Sequence, residues 1–265
     1  YSGHNGAVSR GQYYKQGAYY SKNWGKHGAL TNPYAFGYFP HMELEGEKIR
    51  FTHGFVKYDG GNLPERYNGS MISINPLHNF LQVTDFQRDG STFRNLDRER
   101  ILSTGDHWFR PVDIKTGPDG GIYLADWYDS RLSHVDPRDT WHKGSGRIYR
   151  LRNKKGESQQ KFDLTTYSIS ELIDLLSQSN KWFRQQALRQ FGDRKDPMAV
   201  PVLKRLIENS NGQLALEALW ALNLSGGFVK EAAVIGLDHT DPYVRLWAVR
   251  LLGDRREVSG LLNKA

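Results

Sequence analysis

Between Phe51 and Leu151 apolar residues fall on alternate positions in a series of short runs. Val112 and Ile114, then Ile122 and Leu124, flank Gly117-Pro118-Asp119-Gly120, where proline presets φ and glycine admits φ > 0, so this stretch predicts a β-hairpin. Gly146–Leu151 supplies a third strand. Upstream, Phe51–Tyr58, Ser70–Ile74 and Asn79–Phe86 read as strands separated by turns at Gly60-Gly61, Pro64–Gly69 and Asp89–Ser91, and Thr92–Arg94 opens a fourth. Four short strands in about fifty residues, followed by a second such group, is the spacing of β-propeller blades. Two blades do not close a ring, and closure is what removes exposed sheet edges, so further blades are expected in a longer parent.

After the polar stretch Lys154–Lys161 the period becomes helical. Ile169, Leu172, Ile173, Leu175 and Leu176 form one amphipathic face, and Trp182–Asp193, Gln213–Leu222 and Tyr243–Asp254 repeat one another. Ala187, Ala218 and Ala248 align in that repeat at intervals of about thirty residues, the small residue admitting a close neighbour. Val200–Ile207 and Val229–Ile235 supply the partner helices, and Asp196-Pro197 and Asp241-Pro242 are helix-start signals. These are HEAT-type repeats, which bury a core only by stacking. The expected fold is therefore β then α, the C-terminal blades of a β-propeller followed by an α-solenoid. Its divisions are an aromatic and glycine-rich inter-blade insertion at 1–50, two blades at 51–153, a linker at 154–168 and a truncated helical array at 169–265.

The charge of +7 points to nucleic acid only when it is gathered on one face, and here Lys and Arg are interspersed with Asp and Glu through both halves. Nucleic acid is not the expected partner. The absence of cysteine excludes disulfides, thiolate zinc sites and covalent c-type haem within this chain. No apolar run approaches the ~18 residues of a membrane span. The chain opens on Tyr1-Ser2-Gly3-His4, with neither an initiator Met nor a signal peptide, and reads as the interior of a longer protein.

Candidate chemistry gathers in the β half, where eight of the nine histidines precede Lys143. His53, His78, His107 and His134 sit at strand ends or turns, where a propeller builds its axial site. Asp126-Trp127-Tyr128-Asp129 follows the hairpin as the rim of a site, its two carboxylates offering oxygen ligands to Ca²⁺. No P-loop, dinucleotide fingerprint, nucleophile elbow or H-E-x-x-H is present.

The stretch from Trp108 to Asp129, with Trp24–Gly28 and Asn32–Pro40, resembles the planctomycete family of large membrane-bound dehydrogenase-like proteins. The two blades alone resemble the quinoprotein glucose/sorbosone dehydrogenases. The resemblance implies periplasmic or extracellular oxidation of a sugar or other alcohol by pyrroloquinoline quinone with calcium. Electrons would pass to a cytochrome c-type haem module elsewhere in the parent. In that family an Arg-Phe-Arg-Asp-Val strand holds the quinone carboxylates. Here the matching text is Trp108-Phe109-Arg110-Pro111-Val112, so Arg110 carries over as a cofactor ligand, and His78 stands near the position of a family lysine. Asp126, Tyr128 and Trp108 are the expected substrate-binding residues, with His53 and His134 as candidate catalytic bases; the family's own catalytic histidine belongs to an earlier blade. The alternative is a non-catalytic scaffold that holds a glycan on the propeller rim or a protein partner on the HEAT surface.

Overall fold

The structure is a computed structural model that describes residues 2–3, 9–20, 33–51, 54–130, 142–154 and 161–255. The chain divides into two compact units, Tyr1–Glu157 and Ser158–Ala265.

The first unit is sheet-rich. Its opening segment contributes five two-residue strands: β1 (Ser2–Gly3) and β2 (Gly11–Gln12), an antiparallel pair; β3 (Ala18–Tyr19) and β4 (Gly37–Tyr38), a parallel pair; and β5 (Leu44–Glu45). The lack of periodicity in this segment is matched by packing through rings rather than ladders, as in the edge contacts of Tyr14 with Tyr20 at 5.1 Å and of Tyr20 with Phe39 at 5.9 Å. Arg10 fastens the segment to the sheet. Its fully buried guanidinium pairs with Asp97 at 3.2 and 2.6 Å, donates to the carbonyls of Ile49 and Glu47, and lies over the ring of Phe51. A buried guanidinium is tolerated only with its donors satisfied in this way.

The alternating runs form β6 (Phe55–Lys57), β7 (Met71–Asn75), β8 (Phe80–Asp89) and β9 (Thr92–Ser103), an antiparallel meander in chain order, with β5 added in parallel on the outer edge of β9. The hairpin and its closing strand form a second meander, β10 (Pro111–Thr116), β11 (Ile122–Asp126) and β12 (Arg147–Leu151). The two sheets share one apolar core: Tyr58, Ile72, Ile74, Leu81 and Val83 from the first, Ile114, Ile122 and Leu124 from the second. Tyr58 spans them, its hydroxyl donating to the Gly120 carbonyl at 2.8 Å while accepting from the N–H groups of Asn62 and Leu63. Gly120, at φ +71°, touches Gly60 so closely that a Cβ on it would lie 2.1 Å from the Gly60 oxygen. No closed ring of blades is present among the described residues.

The second unit is helical: α1 (Ile169–Leu175), α2 (Lys181–Arg194), α3 (Ala199–Asn209), α4 (Gly212–Leu224), α5 (Lys230–Leu237) and α6 (Pro242–Arg255). Ser168 and Glu171 form a reciprocal capping box at the start of α1, and Asn180 caps α2. Asp241-Pro242 opens α6 as expected, whereas α3 starts two residues beyond Pro197 because Pro197-Met198 form a turn in which Asp196 accepts from the Met198 N–H. Ala187, Ala218 and Ala248 are all fully buried, and a Cβ on Gly236 would meet that of Ala248 at 2.8 Å. The repeat extends to polar groups. Arg184 of α2 donates to the carbonyls of Gln178 and Ser179, and Arg245 of α6 donates to those of His239 and Thr240, each clamping the turn that precedes its own helix. Arg184 also pairs with buried Glu217 of α4 at 3.0 Å. Among the described residues no helix is long and apolar enough to cross a membrane.

Two predictions follow from these contacts. Arg184→Ala leaves Glu217 buried and uncompensated and is expected to destabilise the helical unit by about 3–5 kcal/mol in urea unfolding followed by circular dichroism; a loss below about 1 kcal/mol would show the pair to be solvated. Asp241 is held below the usual carboxylate range by the backbone N–H of Tyr243, against the opposing effect of desolvation, with help from the N–H groups of Gly212 and Val244 and from His239. Its stabilising contribution is therefore complete above the ordinary carboxylate pKa and disappears as pH falls through the lowered one. Asp241→Asn should flatten that acid limb of a pH–stability curve.

Candidate functional site

The pairings Asn75 with Phe80, Phe80 with Ser103 and Pro111 with Asp126 bring the β7–β8 turn, the β9–β10 loop and the segment after β11 to the same end of the two sheets. Asn79 joins the first two. Held at φ 60° in the left-handed region where Asn is tolerated, it donates its side-chain amide to the carbonyls of Asp106 and Phe109.

Asp126 joins the last two. As the last residue of β11 it is buried, and its Oδ1 accepts the N–H of Arg110 at 2.8 Å and that of Tyr128 at 2.9 Å. The Trp127 N–H returns to the Arg110 carbonyl at 2.9 Å. One carboxylate thus fixes two crossing segments and turns Tyr128, at φ 54°, onto the neighbouring loop. There its ring stacks on Trp108, with centroids 5.8 Å apart and planes 26° from parallel. His142 meets both rings edge-on, and the Arg147 guanidinium lies over Tyr128 at 5.7 Å. His142 and Arg147 are exposed and the two rings half-buried, so the cluster forms an aromatic shelf with polar edges.

Arg110 lies beneath this shelf, 6 % exposed, with Nη1 on the Phe109 carbonyl at 3.0 Å and Nη2 on the Ser130 carbonyl at 3.1 Å. Burial pulls its pKa down, against the opposing charges of Asp129, Asp126 and Asp106. Its Nε and the Asp126 Oδ2 are buried without a hydrogen-bond partner among the described residues. The structure therefore brings Trp108, Arg110, Asp126 and Tyr128 into one cluster. His78 is exposed on the adjoining turn, its ring lying on Phe80 rather than in the shelf. His53 and His134 lie outside the described residues. Among the described residues no group of three His, Cys, Asp or Glu side chains is arranged to hold a metal ion.

The fit of Arg110 to a quinone carboxylate can be tested directly. A carboxylate is gripped by two parallel N–H groups of an accessible guanidinium. Both Nη groups of Arg110 instead serve backbone carbonyls, and the side chain is buried. The Arg110 fork does not fit that role, and what it does is hold the 127–130 segment in place.

Asn79, Asp106, His142 and Arg147 are the members of the site that sequence reasoning missed. Of these only Asn79 carried a local signal, an Asn following a strand and a turn; the others meet the cluster through contacts between segments far apart in the chain.

Residues 169–237 match the HEAT repeat family, in register with the helices just described. The helical unit is HEAT-like. Residues 33–155, spanning the two sheets and the candidate site, match a domain family of unknown function, DUF7133, whose description assigns no activity. No curated protein and no solved structure matches the chain.

Asp126→Ala would strand the buried N–H of Arg110 and the half-buried N–H of Tyr128 and is expected to destabilise the β unit by about 2–4 kcal/mol, whereas Asp126→Asn keeps an acceptor at Oδ1 and should cost less than half of that. Equal losses in denaturant unfolding of the two variants would show that charge rather than hydrogen bonding holds the shelf.

Proposed function

We propose that the two sheets are blades of a propeller-type domain and that the shelf of Trp108, Tyr128, His142 and Arg147 binds a sugar or related polyol in an extracytoplasmic setting. The meander order of each sheet and the core shared between their faces support the propeller reading. The stacked pair Trp108–Tyr128 at the loop end carries the ligand reading, because aromatic faces receive the C–H faces of sugar rings while exposed His and Arg groups at the edge bond hydroxyls. The HEAT-like unit adds a stacked-helix surface of the kind that contacts protein partners.

A second reading, quinone-dependent oxidation of the bound polyol with electrons leaving to a haem module, rests on the wording shared with the sugar dehydrogenases around Trp108–Val112. The engagement of Arg110 with backbone carbonyls weighs towards binding without that cofactor.

Isothermal titration across a panel of monosaccharides and disaccharides tests the first reading. At least one sugar is expected to bind, and Trp108→Ala to weaken it roughly tenfold or more with an unchanged thermal midpoint. If no sugar binds, or the variant binds equally well, the shelf is packing only. Dye reduction appearing on addition of pyrroloquinoline quinone and Ca²⁺ would instead establish the second reading.

A further inference from the structure

The two sheets differ in how their outer strands are finished. β9 carries Arg94, Arg98 and Arg100, and a short acidic segment covers part of its edge. There β5 pairs in parallel with Asn95 and Leu96, the Glu43 carbonyl accepts the Asn95 N–H, Glu43 meets Arg94 at 3.6 Å and Glu47 meets Arg100. β12 is basic too, carrying Arg147 and Arg150 with Arg152 just beyond, yet among the described residues it pairs only with β11 and its outer edge has no strand beside it. Residues 147–150 are all exposed, Ile148 by 77 %. A cavity of about 300 Å³ lies between β12 and the end of β9, with Leu102, Phe109, Leu124 and Leu151 in its apolar lining. Strand alternation puts Tyr149 and Leu151 on the cavity side with their partners Leu124 and Ile122. Ile148 and Arg150 fall on the other face, where Arg150 meets Asp119 at 3.5 Å, longer than a charge-assisted hydrogen bond.

We propose that β12 receives an extended acidic segment of a partner protein as a fourth strand of its sheet. One apolar side chain of that segment fills the cavity, and the carboxylate next to it in sequence falls on the opposite face beside Arg150. Three observations select this occupant. An unpaired edge offers alternating N–H and C=O groups, which another main chain satisfies along its length and a small molecule does not. The cavity lies on one face of the strand and the exposed guanidinium on the other, which matches the alternation of apolar and charged side chains in a strand. The arginines repel a second basic edge, so they disfavour β12 of another copy while attracting carboxylates. β5 is the same solution within the chain, its half-buried Leu44 set between exposed Glu43 and Glu45 on a basic strand. The inference does not rest on polyol binding, which uses the Arg147 guanidinium rather than the main-chain edge.

The probe is the chain's own acidic strand as a free labelled peptide, Met42–Glu47, titrated into the full chain by fluorescence anisotropy, with amide hydrogen exchange to locate it. The peptide is expected to bind and to slow exchange at residues 147–151. A Leu44→Ala peptide should bind about tenfold more weakly. A Glu43→Lys, Glu45→Lys peptide should also weaken, and a backbone N-methylated peptide should lose binding because it cannot complete the ladder. Arg150→Gln in the chain should weaken the acidic peptide several-fold while leaving the effect of Leu44→Ala intact. The peptide series on the unaltered chain decides the matter even where that variant unfolds. Absence of binding, binding that protects β9 instead of β12, binding indifferent to N-methylation, or self-association of the chain through β12 overturns the proposal.

Discussion

The β unit depends on one apolar layer that neither sheet completes alone. Ile72, Ile74, Leu81 and Val83 present a face that water would cover if Ile114, Ile122 and Leu124 were not laid against it. Each such aliphatic side chain contributes about 1.5–3 kcal/mol on burial. The candidate site hangs from the strand ends this layer aligns: the β7–β8 turn, the β9–β10 loop and the segment after Asp126 converge because the two sheets are packed on one core. Asp126 then converts that alignment into a fixed shelf with a single carboxylate oxygen.

The HEAT-like unit solves the same burial problem by repetition. Ala187, Ala218 and Ala248 set how near successive helices come, and the arginine clamps at Arg184 and Arg245 set where a helix begins. In α4 the corresponding position is Ala215, and the polar work passes to Glu217, which receives Arg184 and Gln213. Repeats of similar shape thus differ in how their polar groups are satisfied.

Local periodicity made most of the elements legible. Alternation announced β7, β8, β10 and β11, and the 3.6-residue period with its recurring alanine announced the helices. What escaped was non-local. β5 is two residues long and pairs in parallel with Asn95 and Leu96, so no local pattern marks it. β9 runs on to Ser103 through Arg94, Asp97, Arg98, Glu99 and Arg100, a charged text that reads as loop but lies on the long β8–β9 hairpin. The Arg10–Asp97 pair joins residues 87 positions apart. At the site, sequence picked out Arg110, Asp126, Tyr128 and Trp108, which do meet, but resemblance aimed the Arg110 guanidinium at a ligand while the backbone carbonyls of its own loops claim it.

The contact of Gly60 with Gly120 has a mechanical corollary. It lies at the hairpin-turn end of the second sheet, opposite the shelf, and it sets main chain against main chain with no side chain between. Side chains can rotate to accommodate a shear; peptide groups in van der Waals contact cannot. The two sheets are therefore bolted together at that end by backbone alone, a joint that no change of rotamer can loosen.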